Sequence, residues 1–203
     1  MEIFLFLLAA PILAFQFLKA QEQRRRIYLL GGYLSQYQIE KLMENVTEGY
    51  LRALGEGDAE RREQIWSLLA TAEQELASQF RRFSEDFAKV WNEQTQVSTL
   101  RLAFPYADKL FPRQTFDMRH MVAIHAEGIA AAAENRRQLS LRDKAYTMTA
   151  ELLLMQHSCH WFCRSKAVAS ARMLARHQTR YEQLLDAVSP ATRAAYLQLL
   201  APR

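Results

Sequence analysis

The chain has 203 residues, half of them apolar, with 26 Lys and Arg against 22 Asp and Glu. That leaves room for one ordinary domain with a real core, and it excludes wholesale disorder. Six glycines and five prolines are few for this length, as expected where long helices leave little to punctuate.

The net charge of +4 is unevenly distributed. Residues 27–100 hold 7 Lys/Arg and 12 Asp/Glu, a balance of −5, whereas residues 101–203 hold 15 and 8, a balance of +7. Two complementary surfaces of one domain account for this. Nucleic acid is not expected as a partner, because the aromatic-plus-basic signatures of its binding modules are missing.

Residues Ile3 to Leu18 are apolar except for Gln16. The run is a little shorter than the roughly twenty residues that span a bilayer core, a gap that snorkelling by Lys19 would help to close. No Lys or Arg precedes it and no small-x-small cleavage site follows, so it reads as a signal anchor at residues 1–20. Lys19, Arg24, Arg25 and Arg26 follow the run, and only Glu2 precedes it. The positive-inside rule then places the N-terminus outside and the C-terminal domain in the cytoplasm of a single-pass cell-membrane protein. Two cysteines, Cys159 and Cys163, lie four apart on a helical stretch, a poor frame for a disulfide and consistent with a reducing compartment.

A basic juxtamembrane linker, residues 21–32, ends at Gly31-Gly32, and a helical domain fills 33–203. Its acidic hairpin, 33–94, begins with an apolar stripe of Ile39, Leu42, Met43, Val46, Tyr50, Ala53 and Leu54. Gly55 and Gly57 break that helix, and Asp58 is a good N-cap for the next. Over 59–94, Trp66, Leu69, Glu73, Leu76, Phe80, Phe83, Phe87 and Val90 form a seam at three- and four-residue steps, interrupted only by Glu73. These aromatics read as core. An irregular connection, 95–115, carries Pro105 and Pro112 within an apolar stretch.

The basic half, 116–203, opens with a third helix over about 116–135. Ser140 and Asp143 resemble a capping box for a fourth, long helix from Leu141 to about Val188, with a kink expected. Ser189-Pro190 starts a last helix ending near Leu200. Nothing reads as a strand. The fold class is all-α, a bundle of about five helices behind the anchor.

The candidate chemistry gathers in the basic half. Asp117 and His120 share one helix face, and His157 and His160 share another. With a turn near residues 138–139, equal distances from the turn would set all four at one level. Three imidazoles and a carboxylate suit zinc or a redox metal in a bundle core. The plainer reading is of polar side chains hydrogen-bonded at helix flanks, with no cofactor. Cys159 and Cys163 could add soft ligands or a thiolate beside His160, but buried helical cysteines usually act as small hydrophobes. No phosphate loop, nucleophile elbow or His-Glu-x-x-His is present. Arg164, Arg172, Arg176 and Arg180 lie at multiples of four. They read as a solvated ridge, as a partner for the acidic hairpin, or as a face for a partner or anionic lipid.

These features point to a membrane-anchored scaffold, adaptor or assembly subunit that acts on other proteins or on its own copies. The alternative is a membrane-bound metal-binding oxidoreductase component.

Overall fold

A computed structural model describes residues 2–201, with side chains described from residue 10 onward. The chain is predominantly helical, in keeping with the all-α expectation. Helix α1 runs from Glu2 to Leu34. Gly31 and Gly32, where the basic linker was expected to end, lie inside it, although glycine in a helix interior costs about 1 kcal/mol relative to alanine. Packing outweighs that cost: Leu30 is buried, and the Tyr33 ring meets Phe87 edge-on at 5.6 Å. One turn earlier, Arg26 clamps the helix to the domain. Its guanidinium donates to the carbonyls of Phe162 (3.3 Å) and Gln96 (3.1 Å) and pairs with Glu22 at 2.6 Å. Among the described residues no helix is long and apolar enough to cross a membrane. Of the expected anchor at 3–18, the side chains of residues 3–9 lie outside the described ones.

The chain reverses at Ser35–Gln38 into α2 (Ile39–Gly55), which forms the expected antiparallel hairpin with α3 (Ala59–Phe87). Asp58 caps α3 by accepting from the Arg61 N–H at 2.8 Å. The helices approach closely because residue 49 is glycine: a Cβ there would lie 2.3 Å from Leu69 Cδ2. Leu76, Phe80, Phe83 and Phe87 are fully buried, so the aromatic seam is core. Each such side chain stabilises the fold by roughly 1.5–3 kcal/mol. The interruption at Glu73 is also explained. Its carboxylate accepts from Tyr50 Oη and from Lys144 Nζ, all three buried.

The connection holds two short strands that the sequence reading missed. After α4 (Asn92–Thr95), β1 (Gln96–Ser98) pairs antiparallel with β2 (Thr115–Asp117), with Val97 opposite Phe116. Three residues are too few for a visible alternation. Between them lie α5 (Ala107–Leu110) and a 3-10 turn at Pro112–Gln114.

Helix α6 (Met118–Ala133) packs on α3 and on α7 (Leu141–Cys163). Ser140 caps α7, accepting from the Asp143 N–H, and its hydroxyl donates to the Asp143 carboxylate at 2.7 Å. The expected long fourth helix is three helices: α7, then α8 (Lys166–His177), then α9 (Tyr181–Ala187). Ser165 ends the first run by capping α8, accepting from the Val168 N–H. Gln178, in the left-handed region at φ 51°, ends the second. Helix α10 (Pro190–Leu200) starts from the Ser189 cap as expected.

Candidate functional site

The four residues expected to share a level are dispersed. Asp117 caps α6, accepting from the Arg119 N–H at 2.9 Å, and its carboxylate pairs with the Arg119 guanidinium at 2.6 Å. Burial raises this carboxyl, but the hydrogen bonds from Arg119 outweigh it and hold it below the usual range. His120 is exposed. His157 is buried: its Nε2 meets Ser170 Oγ at 3.0 Å, and its ring stacks on Tyr181 at 4.7 Å. His160 is half-buried and faces a different set of groups. Burial, Arg172, Arg176 and His177 all push its proton affinity down. Among the described residues no three His, Cys, Asp or Glu side chains are grouped to hold a metal.

The arginine ridge is broken by the same turns that divide the fourth helix. Arg164 lies at the end of α7 and donates to Gln23 of α1 at 2.7 Å. Arg172 and Arg176 are exposed on α8, and Arg180 caps α9. Both cysteines are unbonded thiols. Burial pushes both up, Cys163 to about 11, so they are held as thiols rather than thiolates at neutral pH.

What the structure does assemble lies along α7, on the faces turned to α6, α8, α9 and α10. Glu151 is fully buried. Its Oε1 accepts from the Ser189 N–H (2.9 Å) and from Thr192 Oγ1 (2.8 Å), tying the start of α10 to the bundle. Its Oε2 has no hydrogen-bond partner among the described residues. Burial raises this carboxyl above its ordinary range, against the opposing effect of those hydrogen bonds. Two turns on, Ser158 Oγ meets His125 Nε2 at 2.9 Å. Burial drives His125 down to about 3 and His157 to about 4, so both rings are neutral at physiological pH. The sequence signal for this cluster was a lone Glu and a lone His on otherwise apolar helix faces. Such isolated polar residues carry a weaker signal than the paired spacing of His157 and His160.

Directly above Glu151 lies a surface groove of about 770 Å³ between α6 and α10. Ala123, Ile124, Ala131, Ala191 and Ala195 line it, and Glu127, Arg136 and Arg137 stand around it, while Lys144, which also borders it, is buried and paired with Glu73. Ser189 and Thr192 of the cluster line it too, and at Gly128 an added Cβ would meet Glu151 Oε2 and Thr192 Oγ1, each at 2.5 Å. Small walls of this kind let another backbone approach closely, and the surrounding charges supply orientation. Comparison with known protein families, curated proteins and solved structures finds no match to this chain.

Proposed function

We propose that the protein is a membrane-tethered interaction module: a scaffold, adaptor or assembly subunit whose helical domain docks other proteins, or a second copy of itself, at the cytoplasmic face of the cell membrane. The interaction half of this reading rests on one observation, the groove between α6 and α10. Alanine is the commonest residue of its lining, at five of 17, and its volume is ample for side chains of a partner helix. The buried Glu151 cluster beneath it fixes the relative positions of the two helices that form the walls. The tether half rests on the apolar run at 3–18 and on the cations that follow it. α1 carries the run into the domain as one helix, with Ile12, Leu13 and Phe17 exposed on its surface and Arg26 holding its second half.

Photo-crosslinking in cells tests the interaction half. A photoreactive residue at Ile124 or Ala131 of the full chain is expected to yield discrete adducts, heterologous or dimeric. The same residue at Leu51, exposed at the far end of the α2–α3 hairpin, is not. Equal, diffuse labelling at all three positions would remove the groove as a docking site.

A further inference from the structure

The 16 residues between the two strands, 99–114, form a loop whose neck is closed and whose tip is bare. The Thr99 N–H donates to the Gln114 carbonyl at 2.9 Å, and the Ala167 N–H donates to the Arg101 carbonyl at 3.0 Å. Below the neck, Trp161 Nε1 holds the Ser98 carbonyl at 3.0 Å. Beyond it, Leu102 and Leu110 are 70% and 58% exposed, and Phe104, Tyr106 and Phe111 are each at least 44% exposed. Five large apolar side chains on one short loop are far more than the scattered exposure normal for a soluble surface. Three cations, Arg101, Lys109 and Arg113, accompany them, against one acid, Asp108.

The loop lies against α1 where its apolar run ends. Phe104 packs edge-on against Phe15 at 5.5 Å, and the Tyr106 N–H donates to Glu22 at 3.3 Å. Phe15 lies within the run at 3–18, about 5 Å from its end at the helical rise of 1.5 Å per residue. Whatever embeds the run therefore brings Phe104 to the depth of the bilayer's interfacial layer. The run itself is about 24 Å long by the same rise, short of a hydrocarbon core of about 30 Å, and a second apolar element at its end suits a locally thinned bilayer.

We propose that the 99–114 loop is a second membrane contact, inserting Leu102, Phe104, Tyr106, Leu110 and Phe111 into the interface of the bilayer that takes residues 3–18, with Arg101, Lys109 and Arg113 on anionic lipid headgroups. Apolar side chains at interfacial depth beside headgroup-facing cations are the pattern of monotopic insertion. The proposal rests on the tether reading. Two contacts, unlike one, fix how the domain is turned relative to the membrane.

The test uses the full chain reconstituted into phosphatidylglycerol-containing vesicles, with an environment-sensitive thiol probe on Leu102→Cys, Leu110→Cys or the control Leu51→Cys. The raised thiols of Cys159 and Cys163 leave the introduced cysteine as the reactive one at pH 7. At positions 102 and 110 the emission is expected to shift to the blue, with quenching by spin-labelled lipid at least about twofold above position 51 and weaker in pure phosphatidylcholine. Equal quenching by aqueous iodide at all three positions, on a chain that floats with the vesicles, overturns the loop contact and leaves the tether standing. A chain that does not float overturns both. Protection that is the same in phosphatidylcholine overturns the headgroup role of the cations.

Discussion

Two clusters of buried titratable groups, one in each half of the domain, are handled in opposite ways. In the acidic half, Glu73 is surrounded by partners: Lys144 supplies the opposite charge, Tyr50 a hydroxyl donor, and burial with that carboxylate beside it pushes the Tyr50 hydroxyl well above its ordinary range. In the basic half, Glu151, His125 and His157 have no buried counter-ion, and each shifts toward its neutral form. Pairing keeps a charge at the price of dependence on one partner; neutralisation avoids that dependence and makes the fold sensitive to pH. The difference has a structural use. Glu73 locks α3 to the start of α7, whereas Glu151 uses its one satisfied oxygen to fasten α10, a wall of the groove, to α7.

The largest expected effect comes from breaking the paired cluster. Lys144→Ala leaves a buried carboxylate without its cation and is expected to destabilise the fold by about 3–5 kcal/mol. Glu73→Ala is expected to cost a similar amount, and the double variant less than the two together, because each partner's removal is harmful mainly through what it strands. Urea unfolding of the three variants measures this. Strict additivity would mean that the pair is not coupled.

Next is Gly128→Ala. The new Cβ would press on Glu151 Oε2 and Thr192 Oγ1, which the packing holds in place, so a loss of about 1–3 kcal/mol is expected. Gly31→Ala is the matched comparison. That glycine is also helical but has nothing within 4 Å of an added Cβ, so a gain of about 0.5–1 kcal/mol is expected. Two glycine-to-alanine changes in helices thus differ in sign, and thermal melts of the pair detect it.

The neutralised cluster gives a pH dependence. Below pH 6.5 the unfolded chain protonates His125 and His157, while the fold keeps them neutral down to about 3 and about 4, so acidification favours unfolding through that window. Glu151 acts the other way: its raised carboxyl lets the fold hold a proton that the unfolded chain releases above about 4.5, a contribution that fades as pH rises. The histidines outnumber the one carboxyl, so a net loss of stability is expected as pH falls from 6.5 toward 4.5. Urea midpoints at pH 5 and 7 are expected to show it, and His157→Gln to flatten it. An unchanged slope in that variant would take His157 out of the explanation.

The acidic hairpin was legible in the sequence because its signals are local and redundant: a capping Asp58, a glycine break, and a seam from Trp66 to Val90 that fits one face of one helix. Ser189-Pro190 worked for the same reason. The breaks in the fourth helix were not legible, since Arg164-Ser165-Lys166 and Gln178 contain neither glycine nor proline. There the chain ends helices by a serine cap and a left-handed glutamine. Gly31-Gly32 misled in the opposite direction, because the contacts of Leu30 and Tyr33 that keep α1 helical come from distant segments. The candidate metal residues meet separate partners: Asp117 pairs with Arg119, His120 is exposed, and His157 bonds Ser170. His157 hydrogen-bonds α8 and stacks on α9, and periodicity within one helix carries no information about which neighbour a face will meet. Pairs such as His125 with Ser158 arise from the packing of α6 on α7 and needed the fold to be seen.

The most direct test of the central claim is the topology of the full chain in cells, read with a C-terminal reporter and alkaline carbonate extraction of the membranes. The expected result is a chain that resists extraction, with a C-terminal fluorescent protein that lights up and a C-terminal alkaline phosphatase that stays inactive. A chain released by carbonate, or an active phosphatase, would contradict a cytoplasmic domain tethered through residues 3–18.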